Sequence, residues 1–311
     1  LLYNIMEQEQ QYTFITWNLE FIINNWNKRK QEIIKVLNQY NEVDFCALQE
    51  VGIPGTLEKS ILSQYAKYTS KKIIFDPVMK RTLLKFYIFR ILLDILFNIN
   101  CVVFNLLGSV AYTLYEIKIL RIFYLLFGTP LFFGLASIVS NKYIILEKER
   151  FSLGNYRITQ AFHLKIYNRN LDFWTINLHL SPDNKKNDAE NKQNREKEVN
   201  QLLKFINSKI GNKDCFILGD WNCNPDDIIF KKLKDNSFVN CVQHIIGTNV
   251  DTFPTYKKSP KAIGNSDRYE KQCVDYIWYR GTNFSVKSFR RIGTEECSDH
   301  FGLCIKVSLT N

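Results

Sequence analysis

The chain is poor in the residues that punctuate, staple or ligate: 7 Pro, 2 Met, 4 His and 8 Cys in 311 residues. The cysteines are Cys46, Cys101, Cys215, Cys223, Cys241, Cys273, Cys297 and Cys304, and no C-x-x-C pair occurs among them. That spacing argues against a structural zinc site. Several of them read as small buried hydrophobes, with Cys241 and Cys273 a candidate disulfide in an oxidising compartment. A G-x-S-x-G elbow is also missing, which removes Ser298 as a serine nucleophile. Without a Gly-rich phosphate loop, nothing supports nucleotide-triphosphate use. No internal repeat, low-complexity tract or intact signal peptide is recognisable, and the chain opens on Leu1 rather than methionine, as it would if an upstream piece had been removed or left out. The net charge of +10 suits a polyanion or an anionic membrane surface. There is no compact basic block, however, and richness in Asn, Lys, Ile, Phe and Tyr is the look of an AT-biased genome, which raises lysine without selecting a partner.

With 46% hydrophobic residues, the chain can bury one large core, or a core plus an insertion. Residues 12 to 17 and 43 to 48 read as buried strands. Between them Ile33, Ile34, Leu37 and Tyr40 recur at helical spacing, and Thr56 to Tyr68 reads as a second helix. Further strands are expected over Gly134 to Val139, Tyr143 to Leu146, Arg157 to Tyr167 and Leu171 to Leu178. A charged helix follows, with Val199, Leu202, Leu203, Ile206 and Ile210 as its apolar stripe. Strands then recur at Cys215 to Leu218, Val274 to Tyr279, Phe284 to Phe289 and Gly302 to Ser308. The loop from Thr252 to Gln272 is long enough to suggest function or mobility.

One segment breaks this rhythm. From Leu83 to Phe133 the chain is overwhelmingly apolar, and Ile95 to Tyr115 carries no charge, about the length a helix needs to cross a hydrocarbon core of roughly 30 Å. The expected division is therefore residues 1–79 and 134–311 as two halves of one catalytic domain, with 80–133 an apolar helical insertion in the membrane. Candidate site residues lie on both sides of it, so any crossings must be even in number. Roughly fifty residues suffice for two crossings or for a re-entrant hairpin in the interface; Arg90, Asp94, Glu116, Lys118 and Arg121 would be costly at mid-bilayer, with Arg90 and Asp94, four apart, partly neutralising each other. The alternative is extra helices packed on the domain or on a partner subunit.

Six short polar motifs stand at the ends of strand-like runs: Trp17-Asn18-Leu19-Glu20, Leu48-Gln49-Glu50-Val51, Asn177-Leu178-His179-Leu180, Gly219-Asp220-Trp221-Asn222, Val274-Asp275-Tyr276-Ile277 and Ser298-Asp299-His300-Phe301. Carboxylates, carboxamides and histidines gathered in one place suit a hard, oxygen-liganded cation with a general base acting on a phosphate ester. Each motif alone also has an ordinary reading as a turn, a cap or a solvated strand end. His163 and His244 fit none of them.

In this order the motifs resemble the endonuclease/exonuclease/phosphatase superfamily over essentially the whole chain outside residues 80 to 133. The resemblance implies an α/β (α+β) fold, a four-layer α/β/β/α sandwich of two mixed, largely antiparallel sheets. It implies a magnesium site, with manganese as the substitute, at Glu50, Asn18 and Asp299, Glu50 being the principal ligand and Glu20 a further acidic position. It places His300 beside the scissile phosphate, oriented by Asp275. Asp220 and Asn222 would position the attacking water, and His179 is a second histidine found in sphingomyelinases and deoxyribonucleases. The reaction implied is in-line attack of water on phosphorus without a covalent intermediate.

Among subfamilies the chain is most similar to neutral sphingomyelinases, through Asn177 to Ser181, Thr252 to Lys257, and Phe284 to Phe289 ahead of Ser298-Asp299-His300. Inositol phosphatases usually carry Trp-Cys-Asp-Arg where Cys273-Val274-Asp275-Tyr276 stands, and apurinic endonucleases generally have tyrosine at His179. The position of the apolar stretch departs from the animal sphingomyelinases, whose membrane helices flank the catalytic domain. The expectation is a membrane-associated, magnesium-dependent phospholipid phosphodiesterase that contacts the bilayer through residues 83–133, the organelle being open. The alternatives are a nuclease with nucleic acid as partner, and an accessory subunit of a membrane complex that retains the fold.

Overall fold

The computed structural model describes residues 10–20, 26–40, 42–52, 71–77, 133–154, 157–182, 188–255 and 271–310. The apolar insertion up to residue 132, the helix expected over Thr56 to Tyr68 and residues 256–270 of the long loop lie outside the described residues. The first sheet contains β1 (Gln11–Asn18), β2 (Val43–Gly52), β3 (Lys72–Pro77) and β4 (Phe133–Val139), together with β11 (Phe284–Ile292) and β12 (Gly302–Leu309). The second contains β5 (Tyr143–Gly154), β6 (Arg157–Ile166), β7 (Asp172–His179), β8 (Cys215–Asp220), β9 (Val239–Asn240) and β10 (Asp275–Arg280). Their orders are β11-β12-β1-β2-β4-β3 and β5-β6-β7-β8-β10-β9. Each sheet has one parallel pair, β1 with β2 and β7 with β8, and every other pairing is antiparallel.

A parallel pair needs a crossover, and here each crossover is a helix. Helix α1 (Trp26–Gln39) joins β1 to β2, and α2 (Asp188–Phe205), continued by a π-turn over Ile206–Ile210, joins β7 to β8. Ile33, Val36 and Leu37, at helical spacing, bury one face of α1 against Ile15, Trp17, Cys46 and Leu48. Val199, Leu202 and Ile206 do the same for α2 against Trp174, Ile176 and Ile217, with Ile229 and Phe230 of α3 (Ile228–Asp235) alongside. The space between the sheets is filled by aromatic rings. Phe14 stacks on Phe216 at 4.5 Å, and Phe173 meets Phe284 edge-on at 5.0 Å. Helix, sheet, sheet and helix make the four layers expected of the resemblance.

Strand periodicity then grades the inner faces from apolar to polar. On β1 the inward series is Tyr12, Phe14, Thr16 and Asn18; on β7 it is Phe173, Thr175, Asn177 and His179; on β8 it is Phe216, Leu218 and Asp220. All are buried. One end of the sandwich is therefore an aromatic core and the other a polar pocket.

The structure departs from expectation in several places. Asp275 opens β10 and His300 precedes β12, so these two sit where strands begin rather than where they stop; β10 and β12 run antiparallel to β8 and β1 and bring their starts to the same end. The ribbon expected over Tyr143 to Leu146 runs on to Gly154, and β3 was not foreseen. Both are edge strands with one neighbour; in β5 exposed and half-exposed charged residues interrupt the apolar pattern, and β3 offers only three consecutive apolar residues, Ile73 to Phe75. Helices α3 and α4 (Cys241–Ile246) were also missed, being too short for periodicity to register. Their starts are set by caps, Asp227 accepting from Ile229 N at 3.2 Å and Asn240 from Val242 N at 3.1 Å. Cys241 and Cys273 are both free and buried, so the candidate disulfide is absent.

Candidate active site

Strand register assembles the polar pocket. His179 pairs with Asp220 across β7 and β8, Asp275 pairs with Asp220 across β10 and β8, and Asn18 pairs with Gln49 across β1 and β2. Asp220 lies at the centre. Its Oδ2 accepts from Asn18 Nδ2 at 2.9 Å and lies 3.5 Å from His179 Nε2 and 3.9 Å from His300 Nε2. Its Oδ1 accepts from the Asn222 backbone at 2.9 Å. Asp275 Oδ2 holds His300 Nδ1 at 2.9 Å, leaving His300 Nε2 turned toward Asp220 and Asp299, the latter at 3.9 Å. Glu50 Oε1 lies 3.8 Å from His179 Nε2. Glu20 Oε2 accepts from the Asp299 backbone at 3.1 Å. All nine residues singled out in the sequence thus meet at one end of the sandwich, whereas His163 stacks on Trp174 at 4.9 Å and His244 is exposed on α4.

Backbone and packing hold these groups at unusual angles. Glu20, Glu50 and Asn222 have φ of 47°, 51° and 50°, in the left-handed region that non-glycine residues rarely enter. The His300 carbonyl accepts from Trp17 Nε1 at 3.0 Å, its N–H donates to Ser298 Oγ at 3.1 Å, and its ring packs against Phe253 at 4.8 Å. Ser298 Oγ donates to Asn18 O at 2.7 Å, a structural bridge between β1 and the loop before β12. Thr252 Oγ1 accepts from Val274 N and Asp275 N at 3.1 and 3.2 Å, setting the start of β10. The buried Arg29 of α1 donates to Leu19 O at 2.5 Å, Glu20 O at 2.9 Å and Cys297 O at 3.0 Å, tying together the loops that carry Glu20 and Asp299. Sequence reading missed Arg29, Trp17, Thr252 and Phe253 as supports. Their partners are mostly backbone atoms, which no residue pattern encodes.

The electrostatics divide the titratable groups. Burial alone would lower the pKa of His300, but the charges of Asp275, Asp299 and Asp220 outweigh it and hold the imidazolium well above the usual range. His179 is pushed well below that range by burial, then by the charges of Arg157 and His300. Asp220 is pushed up to about 7 by burial and by neighbouring Asp275. Asp299 is also pushed up to about 7, by burial and, against the pull of His300, by Glu20, Glu50 and Asp220. Near neutral pH the pocket therefore holds one cationic and one neutral histidine.

Buried acids that repel one another fit a cation, because a bound metal reverses the penalty on their charged forms. Asp220, Asp275 and His300 offer ligand atoms within 4.8 Å of one another. Asp275 Oδ2 is engaged by His300 Nδ1, while Asp275 Oδ1 is buried without a hydrogen-bond partner, and Glu50, Asn18 and Asp299 add oxygen donors of the kind a hard cation takes.

Comparison with known proteins identifies the family and the fold. The family model described as Endonuclease/Exonuclease/phosphatase family matches residues 15–300. Among solved structures, an endonuclease/exonuclease/phosphatase from Bacteroides vulgatus is 15% identical with a TM-score of 0.65, covering 97% of this chain and 100% of its own. The human Nocturnin catalytic domain with bound sulfate is 15% identical at a TM-score of 0.64, covering 97% of each chain. D. rerio TDP2 complexed with a single-strand DNA product is 14% identical at 0.64, covering 96% of this chain and 100% of its own. No curated protein matches the chain.

Proposed function

The chain belongs to the endonuclease/exonuclease/phosphatase family, whose enzymes are typically phosphoester hydrolases that use a divalent metal, and we propose that it is a magnesium-dependent phosphodiesterase acting on a phospholipid at a membrane surface. Sphingomyelin is the substrate of first choice. Glu50, Asn18 and Asp299 would hold the metal, whose charge polarises the phosphate when bound. Asp220, with its pKa near 7, accepts a proton from the attacking water that Asn222 helps to place. The new bond forms between the water oxygen and phosphorus, the bond from phosphorus to the leaving oxygen breaks, and that oxygen takes the proton of cationic His300. Asp275 orients the ring through Nδ1 and stabilises its positive charge. A carboxylate base and an imidazolium acid coexist near neutral pH because the pocket raises both groups, Asp220 only to about 7 and His300 well above the usual imidazole range.

The observation that carries the choice of substrate is where the apolar run leaves the sandwich. Pro77, the last residue of β3, pairs with Gly134 of β4, and Gly134 pairs with Val51, the residue after Glu50. Phe133 pairs with Gly52. Both roots of the apolar segment therefore stand on the rim of the pocket, within two strand spacings, roughly 10 Å, of the Glu50 backbone. An anchor rooted there turns the pocket toward the bilayer, so lipid tails stay in the membrane while the headgroup phosphate reaches the metal. No described helix is long and apolar enough to cross a membrane, and the run itself lies outside the described residues.

A second reading, a nuclease, draws on the likeness to a fold that has been seen with a single-strand DNA product and on the net charge of +10. The deciding experiment is magnesium-dependent turnover by detergent-solubilised protein on sphingomyelin micelles and on single- and double-stranded DNA in parallel, with His300→Ala as control. Lipid cleavage that disappears in the variant is the expected result. Cleavage of DNA alone would replace the lipid reading with a nuclease held at a membrane, and inactivity on both would leave an accessory module.

A further inference from the structure

Beneath the pocket, where aromatic rings fill the rest of the space between the sheets, runs a line of buried amides. Gln49 Nε2 donates to Asn177 Oδ1 at 2.9 Å, Asn177 Nδ2 donates to Gln160 Oε1 at 3.2 Å, and Gln160 Nε2 donates to Asp76 Oδ2 at 2.8 Å. Lys148 Nζ, at the surface, closes the line on Asp76 at 3.0 Å. Gln49, Asn177 and Gln160 are fully buried and Asp76 nearly so. The line passes from the first sheet to the second and back again, since Gln49 and Asp76 lie in one and Asn177 and Gln160 in the other.

The line has a direction, set by Asp76. An ionised carboxylate only accepts, so Gln160 must turn its NH2 toward Asp76 Oδ2 and Ile74 O, the latter at 3.1 Å. Its oxygen then faces Ser137 Oγ at 2.8 Å and the Asn177 amide. Asn177 in turn directs its NH2 at Leu48 O and Ala136 O, at 3.2 and 3.0 Å, and its oxygen at Gln49. Leu48 and Ala136 are partners at the point where the β2–β4 ladder loses register, just before Glu50. Asn177 therefore reaches across from the opposite sheet to satisfy the carbonyls at this irregularity, two residues before His179 on the same strand face.

A buried polar chain contributes little to stability over a well-packed apolar replacement, and its value lies in specifying one arrangement. We propose that Asp76, Gln160, Asn177 and Gln49 are positioning residues that hold Glu50 in its left-handed conformation for the metal. The proposal rests on the reading of Glu50 as a metal ligand. Because Asp76 is followed by Pro77 at the root of the apolar run, the same chain links the seating of β3 to the metal-side carboxylate.

The test is a double-mutant cycle read by magnesium affinity in isothermal titration calorimetry, with metal-free melting temperature and turnover of bis(p-nitrophenyl) phosphate measured alongside. Gln160→Glu keeps an acceptor for Asn177 but sets a carboxylate against Asp76, and weakens magnesium binding by about 10-fold, the scale of lost support around a metal ligand. Adding Asp76→Asn supplies a donor to the new carboxylate, and the double variant returns to within about 2-fold of wild type. A folded Gln160→Glu protein that binds magnesium normally, or a folded double variant that stays about 10-fold weak, overturns the proposal. If Gln160→Glu does not fold, the double variant decides alone on the same criterion. Magnesium binding that follows this cycle in a protein that turns over no phosphodiester would defeat the functional reading and leave the positioning chain standing.

Discussion

The β1–α1–β2 and β7–α2–β8 units are built alike, each ending with a polar side chain on its first strand and a carboxylate at the end of its second, yet the Glu50 side chain keeps 30% of its surface exposed and Asp220 only 1%. The cause is local. In β2 the ladder shifts register between Leu48 and Val51 and Glu50 takes φ 51°, which turns the residue out of the regular strand. In β8 the ladder is regular through Asp220, and β10 covers its other edge with Asp275 opposite. Gly219 lets β7 close in, since a Cβ there would lie 2.2 Å from Leu178 O. One topology thus yields an acid turned toward water, suited to a cation, and an acid starved of water, suited to a proton.

The largest test of that contrast is to neutralise each acid in turn. Asp220→Asn is expected to lower kcat by about 10²- to 10⁴-fold while leaving magnesium affinity nearly unchanged, the scale of a lost general base. Glu50→Gln should do the reverse at low metal and recover part of its rate at high magnesium. The comparison breaks if both variants move kcat and metal affinity together.

A smaller effect appears in stability. An acid whose folded pKa lies above its unfolded value binds its proton more tightly when folded, so its contribution to stability falls as pH rises between the two. For Asp220 that window runs from an ordinary 3.8 to about 7. Without metal, wild type and Asp220→Asn should therefore melt alike near pH 4, and the variant should become the more stable by up to about 4 kcal/mol at pH 8. Thermal melts at both pH values, with EDTA, measure this, and an unchanged difference would mean that Asp220 is not held in a protonated, water-poor state. The smallest effect is expected from Gly219→Ala. Its methyl group would meet backbone rather than a yielding side chain, forcing β7 and β8 apart at a destabilisation of about 1–3 kcal/mol in urea unfolding.

Much of the architecture was legible because strand and helix periods are written in apolar spacing. Phe14, Ile15 and Trp17 announce β1, and Val199, Leu202 and Ile206 announce the inner face of α2. What escaped notice was governed by position in the sheet or by single capping groups. Edge strands such as β3 have one neighbour and need no continuous apolar pattern, and α3 and α4 are defined by Asp227 and Asn240 more than by any stripe. The site residues were visible as motifs, whereas the supporting roles of Arg29, Thr252 and the Gln160–Asn177 line were not, since their partners lie far along the chain or on the backbone.

By itself the sequence determined which chemical groups are available and the order in which strands deliver them, because side-chain type and hydrophobic period are local properties. Tertiary structure decided what those groups are. Asn18 and Asp220 share a hydrogen bond although 202 positions apart, and His300 and Asp275 pair across 25. Whether an aspartate near neutral pH is an anion or an acid depends on the water removed from it and the charges brought to it. Both are properties of packing, and they come into being only when the two sheets close on each other.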